Sequence, residues 1–514
     1  MVERKVRQPI ISVLEEVNQD WLGITFDDLS PPKALKTTQR GFGRGVITVA
    51  KRFSASICFV KKRDNSYSSI AIIKRDTTAK LEVQEGDGIL LRSGRNVFPT
   101  IIAKRRNSKG SFSYSFSIPL EVAKSIKHGK YHCFSLLSKS LPRECAEERN
   151  VKTISPLEFL PQVSIRGAPF HVFDLGDKLL VWISERANKY AILPKRIGLR
   201  DGPHDLLELF GAFFCEGRRA RRSNRHHLDV LSFSNTDGQQ ISWFVDGVEK
   251  FFGVSKDSWD LQVLCKRKSS KLIAYWSQLG FKSEKIRLYE NTTVSAPHGV
   301  SILFLYGTTF AEVFYELMTC CKKLALREEQ NSLSFFRGIS RGDIGVLHRK
   351  ENGFLSAVNY STGDRADADF FCELCKRLNL THSRPLFCMG KKYKKGYWSV
   401  FITGHKNFRR LIELGAITHP KRKRELIEGF LRSKKSTTFK YLDAVSNGAN
   451  TASKAADSLG VSVITSRATF QKLRDAGYLE SGSVFDRYNP KIHTITSKGA
   501  QLLGFYQKLE KEVM

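Results

Sequence analysis

Hydrophobic and polar positions follow three different rhythms along this chain, and the changes of rhythm mark three zones. From about Gly41 to Ser140, short apolar runs alternate with Gly, Ser and Lys/Arg clusters, as in RGVITVAKRF, SYSSIAIIKR and GDGILLRSG. That pattern predicts mostly strand. Two stretches, ITVAKRFSASICF from Ile47 and FSIPLEVAKSIKHG from Phe116, are weak copies of each other. Each reads as a strand followed by a short helix.

From about Ser155 to Glu428 the pattern contains an internal repeat. LLELFGAFFCEGRR (Leu206 to Arg219) and LSFFRGISRGDIGV (Leu333 to Val346) share the order apolar pair, glycine, four residues, acid. Gly211 precedes Glu216 by five positions, as Gly338 precedes Asp343 (216 − 211, 343 − 338). FSNTD begins at Phe233 and YSTGD at Tyr360, each seventeen residues past its acid (233 − 216, 360 − 343). An amphipathic helix follows in both copies, ISWFVDGVEKFFGV and ADADFFCELCKRLNL, and then a strand, WDLQVLCKRK or YWSVFITGHKN. The acids are 127 residues apart (343 − 216), room for one α/β unit with an insertion.

From about Ser436 the order becomes helix, TASKAADSLG, a turn at Gly460, VSVITSRATFQKLRDAGYLE, a hairpin through VFDRYNPKIHTIT, and a last helix from Ser497. This predicts a winged helix-turn-helix. Its second helix, Ser462 to Ala476, would present Ser462, Thr465, Ser466 and Arg467 to a major groove, with Arg487, Lys491 and His493 of the wing on phosphate. The four predicted domains are a β-rich α+β accessory domain (1–150), two related units (155–330 and 331–435), and the winged helix (436–514).

Composition then narrows the function. A chain of 514 residues implies roughly three or four domains at about 150 residues each. Hydrophobic residues at 41% and charged residues at 26% exclude a collagen-like or wholly disordered chain. Basic side chains outnumber acidic ones 84 to 51, a net charge of +33, so the expected partner is a polyanion, nucleic acid before membrane surface. The longest apolar run, VSILFLYG near Val300, is far too short to span a bilayer. The start, MVERKVRQPIIS, has no apolar signal core. A cytoplasmic, nucleoid-associated protein, monomeric and away from membranes, is therefore expected. Ten cysteines are too few for a disulfide scaffold, and Cys372 and Cys375 in FFCELCKRL stand at helical spacing as a packed face rather than a zinc knuckle.

Glycine inside a helix costs about 1 kcal/mol relative to alanine, so Gly211 and Gly338 imply close helix packing. If the two motif helices pack together, Glu216 and Asp343 emerge side by side at their C-terminal ends. There the helix dipole is negative and two carboxylates repel, an arrangement that a hard divalent cation resolves. Oxygen ligands near phosphate fit Mg²⁺, which hydrolyses phosphodiesters by activating water and stabilising the leaving oxygen.

These paired motifs resemble the LAGLIDADG (dodecapeptide) homing endonucleases, in the single-chain form with two motif copies, over roughly Ser155 to Lys435. The resemblance implies two pseudo-symmetric αββαββα units, motif helices at the central interface, and sheets forming a saddle over double-stranded DNA. It implies Glu216 and Asp343 as catalytic metal ligands and Gly211 and Gly338 as helix-crossing glycines. It also implies a basic residue late in each copy, for which Lys322 and Lys323 in the first and Lys421 and Lys423 in the second are the candidates. The second motif departs from the pattern: Arg341 stands at a usually acidic position and Ile344 where a glycine is expected, so that Gly345 is expected to end the helix.

Basic runs sit where a saddle would need them. Arg218, Arg219, Arg221, Arg222 and Arg225 follow the first acid. Lys266, Arg267, Lys268, Lys391, Lys392, Lys394 and Lys395 fall at strand ends or turns, and arginine there could also read guanine edges. The chain starts Met1-Val2 and ends KEVM, without an intein's nucleophile and terminal Asn, so a free-standing protein is expected. The two weak N-terminal copies resemble the halves of small swapped-hairpin DNA-binding proteins. The leading expectation is a Mg²⁺-dependent, site-specific double-strand DNA endonuclease. The alternatives are a non-cleaving DNA-binding regulator, which the tail and the degenerate second motif resemble, and a maturase acting on intron RNA.

Overall fold

The computed structural model describes residues 51–61, 67–73, 75–93, 96–106, 112–118, 131–141, 152–164, 167–183, 190–217, 230–349, 351, 353–390, 393–432, 436–482 and 491–513. The chain is mixed α and β and divides into two compact units, Met1–Lys323 and Leu324–Met514.

In the first unit, β1 (Lys51–Lys61), β2 (Tyr67–Ile73), β3 (Gly88–Ser93), β4 (Asn96–Ile101), β5 (Ala103–Arg106), β6 (Phe112–Ile118) and β7 (Tyr131–Lys139) make one sheet. Its order is β4-β3-β7-β1-β2-β6-β5, with α1 (Arg75–Leu81) between β2 and β3. Strand alternation sends Phe53, Ala55, Ile57, Ile89, Leu91, Phe116 and Phe134 into one core. Residues 51–61 are strand throughout, so the short helix expected after Ile47 does not form there. The alternating burial of Phe53, Ala55 and Ile57 is the reason, since a helix would scatter those three around its surface. The helix expected after Phe116 falls outside the described residues.

A short β-rich segment follows: β8 (Thr153–Ile154), α2 (Pro156–Phe159), β9 (Phe170–Asp174), β10 (Lys178–Ile183), β11 (Tyr190–Pro194), β12 (Ile197–Gly198), β13 (Arg200–Asp201) and β14 (His204–Asp205). The sheet β11-β10-β9 packs Phe173 and Leu180 on Leu90, whose side chain points away from the main core.

The first motif helix, α3 (Leu206–Glu216), leads into β15 (Val230–Asn235), α4 (Gly238–Phe252), β16 (Asp260–Cys265), α5 (Ser270–Gln278), β17 (Ile286–Glu290), β18 (Val300–Tyr306) and α6 (Thr308–Ala325). The sheet order is β15-β18-β16-β17. In the second unit, α7 (Glu329–Arg341), β19 (Ile344–His348), β20 (Leu355–Thr362), α8 (Arg365–Arg377), β21 (Leu386–Gly390), β22 (Tyr393–Ile402), α9 (His405–Glu413) and α10 (Pro420–Leu431) follow in turn, with sheet order β19-β20-β22-β21. The unit ends with α11 (Ser436–Ser446), α12 (Ala452–Leu459), α13 (Val463–Asp475), the antiparallel pair β23 (Leu479–Ser481) and β24 (His493–Ile495), and α14 (Ser497–Val513).

The repeat is visible in the register of each unit taken alone. One residue past the acid, Gly217 bridges Phe233 and Ile344 pairs with Tyr360, both antiparallel. Each of these aromatics stacks on a phenylalanine eleven residues further on (244 − 233, 371 − 360). The ring centroids lie 3.9 Å apart for Phe233–Phe244 and 4.6 Å for Tyr360–Phe371. Asp237 and Asp364, both twenty-one residues past their acid (237 − 216, 364 − 343), cap α4 and α8. Their carboxylates accept from Gln239 N–H and Ala366 N–H, at 2.9 Å in both cases. Their own amides donate to Asn235 Oδ1 at 2.9 Å and Thr362 Oγ1 at 3.2 Å.

Large aromatic groups buried at the centre of each sheet carry much of this order. Truncating Phe244 or Phe371 to alanine is expected to cost about 3–5 kcal/mol in denaturant unfolding of the unit that contains it. Phe112→Ala, at a side chain 54% exposed, is expected to stay within about 0.5 kcal/mol of wild type.

Candidate functional site

The first acid is positioned by its own helix and the next strand. Asp205 caps α3, its Oδ1 accepting from Leu207 N–H at 2.8 Å and Glu208 N–H at 3.1 Å. From Leu206 to Phe214 every α3 residue except Glu208 is buried, Gly211 included, so the helix lies inside the unit. Glu216 is its last residue and is half-buried. Its Oε1 accepts from Asn235 Nδ2 at 3.2 Å, and its carbonyl accepts from Ser234 Oγ at 3.3 Å. At Gly217 a Cβ would stand 2.4 Å from the Phe213 ring and carbonyl, so only glycine lets the chain leave the helix there.

The second acid leaves its helix differently. Asn331 and Ser332 anchor the start of α7, the Ser332 hydroxyl donating to Ala325 O at 2.6 Å. Gly338 is buried in its interior. The helix ends at Arg341 with Gly342 as its cap, so termination uses Gly342, and not the expected Gly345. Gly345 lies in β19 instead, where a Cβ would meet Asn359 Oδ1 at 2.4 Å. Asp343 follows the cap and is exposed. Glu216 belongs to the first unit and Asp343 to the second.

The end of α7 is held by a network that the sequence reading missed. Arg422 donates through Nη1 to the Ser340 carbonyl at 2.8 Å, placing a guanidinium at the negative end of the helix. Thr418 N–H donates to Ser340 Oγ at 3.0 Å, and Arg337 donates to the carbonyls of Gly415 (2.9 Å) and Leu414 (2.8 Å). The neighbouring candidates stand elsewhere: Lys421 is exposed, and Lys423 pairs with Glu512 at 3.0 Å. A sequence signal did exist, since Arg422 is four residues before Leu426 and eight before Phe430, on the buried stripe of α10. In the first unit Lys322 sits in the last turn of α6 with its ammonium 4.8 Å from the centroid of the Phe214 ring, two residues before Glu216. Lys323 is exposed.

Burial pushes the Cys321 and Cys375 thiols well above the usual range and that of Cys372 up to about 11, which disfavours thiolate ligation of a soft metal. Cys372 and Cys375 are packed on the buried side of α8. Among the described residues no group of three or more His, Cys, Asp or Glu side chains gathers as a metal centre. A carboxylate oriented by an amide, as at Glu216, suits a hard cation.

Several expected nucleic-acid contacts lie outside the described residues: Arg218, Arg219, Arg221, Arg222, Arg225, Lys391, Lys392 and Arg487. Lys394 and Lys395 fall in β22, but their side chains are not among those described. Lys266, Arg267 and Lys268 are exposed in the connection from β16 to α5. In the tail, Ser462 caps α13 by accepting from Thr465 N–H at 3.1 Å, and Thr465 and Arg467 are exposed on it. Ser466 is fully buried, so it cannot face a groove, because helical spacing puts it on the stripe shared with Phe470 and Leu473. Ile464, 80% exposed, occupies that outer face and was not singled out from the sequence. Lys491 is exposed. His493 is buried with its ring 4.5 Å from Phe470, so it belongs to the core and not to a phosphate-binding wing. Among the described residues no helix is long and apolar enough to cross a membrane.

No protein-family profile matches the chain, and neither does any curated protein. Among solved structures it is similar to the homing endonuclease I-DmoI. A crystal structure of I-DmoI in complex with DNA and calcium shares 9% identity at a TM-score of 0.24, over 40% of this chain and 86% of that one. A structure from work on mesophilic variants of I-DmoI shares 8% identity at the same TM-score, over 41% and 93%.

Two outcomes are expected from this geometry. Arg422→Ala should destabilise the second unit by about 1.5–3 kcal/mol in denaturant unfolding, the loss of a charged hydrogen bond, whereas Lys421→Ala should leave it unchanged. Desolvation, and then the charges of Arg474 and Lys491, lower the His493 pKa below its ordinary 6.5. A depressed folded value means that the stability is present above pH 6.5 and lost as pH falls through the folded pKa. Unfolding followed from pH 8 to 5 should therefore show acid loss in the tail that His493→Phe removes.

Proposed function

We propose that the chain is a site-specific double-strand DNA endonuclease of the LAGLIDADG type. The observation that supports it most directly is the repeat. Two glycine-bearing helices each lead to an acid whose next residue pairs with the aromatic seventeen residues beyond that acid, with the same aromatic stack and the same helix cap. The net charge of +33 supports a nucleic-acid partner.

In this reading Glu216 and Asp343 would be the carboxylates that hold divalent cations, Mg²⁺ first. Such a cation, when bound, would activate water and stabilise the leaving oxygen. Asn235 keeps the Glu216 carboxylate in one orientation. Lys322 and Arg422 hold positive charge near the ends of the two motif helices, positioning groups for phosphate. The tail acts as a winged helix that adds DNA grip through Thr465 and Arg467, and the chain works as a cytoplasmic, nucleoid-associated monomer.

A second reading, a non-cleaving DNA-binding regulator, is favoured by one specific feature. The second motif has Arg341 and an exposed Asp343 beyond the helix cap, where the first has a half-buried Glu216 still in the helix. Cleavage of a duplex target with Mg²⁺ decides between them. Glu216→Gln and Asp343→Asn are each expected to lose detectable cutting while keeping duplex affinity within about twofold. Calorimetry showing no Mg²⁺ or Ca²⁺ binding that depends on the acids would favour the regulator. Tighter binding to structured intron RNA than to duplex would favour a maturase.

A further inference from the structure

The two repeats differ by an insertion, and its placement is informative. Phe233 pairs with Leu303, seventy residues on, whereas the equivalent Tyr360 pairs with Val400, forty residues on (303 − 233, 400 − 360). The first repeat thus carries thirty more residues between its central strands (70 − 40). In the second repeat β21 turns directly into β22. In the first, the chain leaves β16, forms α5, returns as β17, and only then enters β18.

The extra strand widens the sheet rather than decorating a loop. β17 pairs in parallel with β16 at the sheet's outer edge, Leu261 opposite Ile286 and Cys265 opposite Glu290. Cross-strand partners share a face, so Leu261, Val263, Ile286 and Leu288 lie together on one side. Gln262, Leu264, Arg287 and Tyr289 lie together on the other. The polar side of the sheet therefore gains an arginine and a tyrosine that the second repeat has no strand to supply.

Charge completes the surface. Between Lys266 and Gly299 there are seven basic side chains and two acidic ones, a balance of +5 (7 − 2). Lys282 and Lys285 are committed to Asp257 (2.8 Å) and Asp260 (3.3 Å). Lys266, Arg267, Lys268 and Lys271 are exposed in one run where β16 ends and α5 begins. None of these four has an ion-pair partner among the described residues.

We propose that the 266–299 crossover is a phosphate-contacting extension of the first repeat's sheet, which lengthens the DNA footprint at one end only. Lys266, Arg267, Lys268 and Lys271 take backbone phosphates, and Arg287 and Tyr289 continue the contact face outward. One added strand spans about 4.8 Å. At 3.4 Å per base pair that strand adds roughly one to two base pairs. The inference rests on the DNA-binding reading above and assigns a surface that the repeat alone does not predict.

The test uses the full chain and a duplex library with a randomised core, from which wild type enriches its site. The variant replaces Lys266, Arg267, Lys268 and Lys271 together by alanine, all exposed positions, and circular dichroism checks that it folds. Four lost phosphate contacts should lower the slope of log affinity against log salt by about 3 to 4. Hydroxyl-radical protection should shrink by about one to two base pairs at one end. An unchanged slope and footprint in the variant, with wild type binding duplex, would overturn the inference and leave the DNA-binding reading standing. Protection that shrinks equally at both ends would overturn it too. Wild type that fails to bind duplex, or that prefers structured RNA, would overturn both.

Discussion

The position of each acid depends on one short strand crossing. A residue just past the motif helix pairs with an aromatic seventeen residues beyond the acid, and that ring is clamped flat on a phenylalanine of the next helix. The pairing fixes where the chain leaves the motif helix. The ring stack fixes the strand to the helix layer. Because side chains alternate along a strand, a slip of one residue would swing the aromatic out of the core, so the register is strongly specified. The acid, next in sequence to the pairing residue, inherits that precision.

The remaining tuning is local and differs between the repeats. Asn235 and Thr362 both accept from the cap residue of the next helix, and Asn235 also donates to Glu216. Arg422 steadies the end of α7. Among the described residues positive charge collects at helix ends and strand tips, and a polyanion would relieve the mutual repulsion of a chain of net +33.

Much of the fold was legible because its periods are clean. The spacing of Gly, acid and downstream aromatic located both motif helices and the strands that answer them. The helix, turn and helix around Gly460 were readable from that glycine, which ends α12 in a left-handed conformation, whereas Ser462, expected at a groove, caps α13. What failed did so for physical reasons. ITVAKRFSASICF carries both helical and strand patterns, and the sheet around it chose strand. Ser466 and His493 looked solvent-facing because polar residues usually are, yet both are buried, His493 with its ring on Phe470, which only packing reveals. Lysines drew attention over Arg422 because four basic residues in KRKR look alike until the helix phase set by Leu426 and Phe430 separates them.

The tail shows why that helix phase matters beyond one hydrogen bond. Phe430 of α10 has His405 at 4.4 Å and Tyr506 of α14 at 5.7 Å, and Tyr506 in turn stacks on Phe439 of α11 at 5.0 Å. Lys423 and Glu512 tie the same two helices, and Arg409 lies 5.3 Å from the Phe505 ring. One face of α10 therefore grips α14 while another, through Arg422, grips the end of α7. Aromatic packing of this kind is stiff, since each ring has few rotamers and several partners. The tail and the helix that leads to Asp343 are therefore held by one shared core within the second unit.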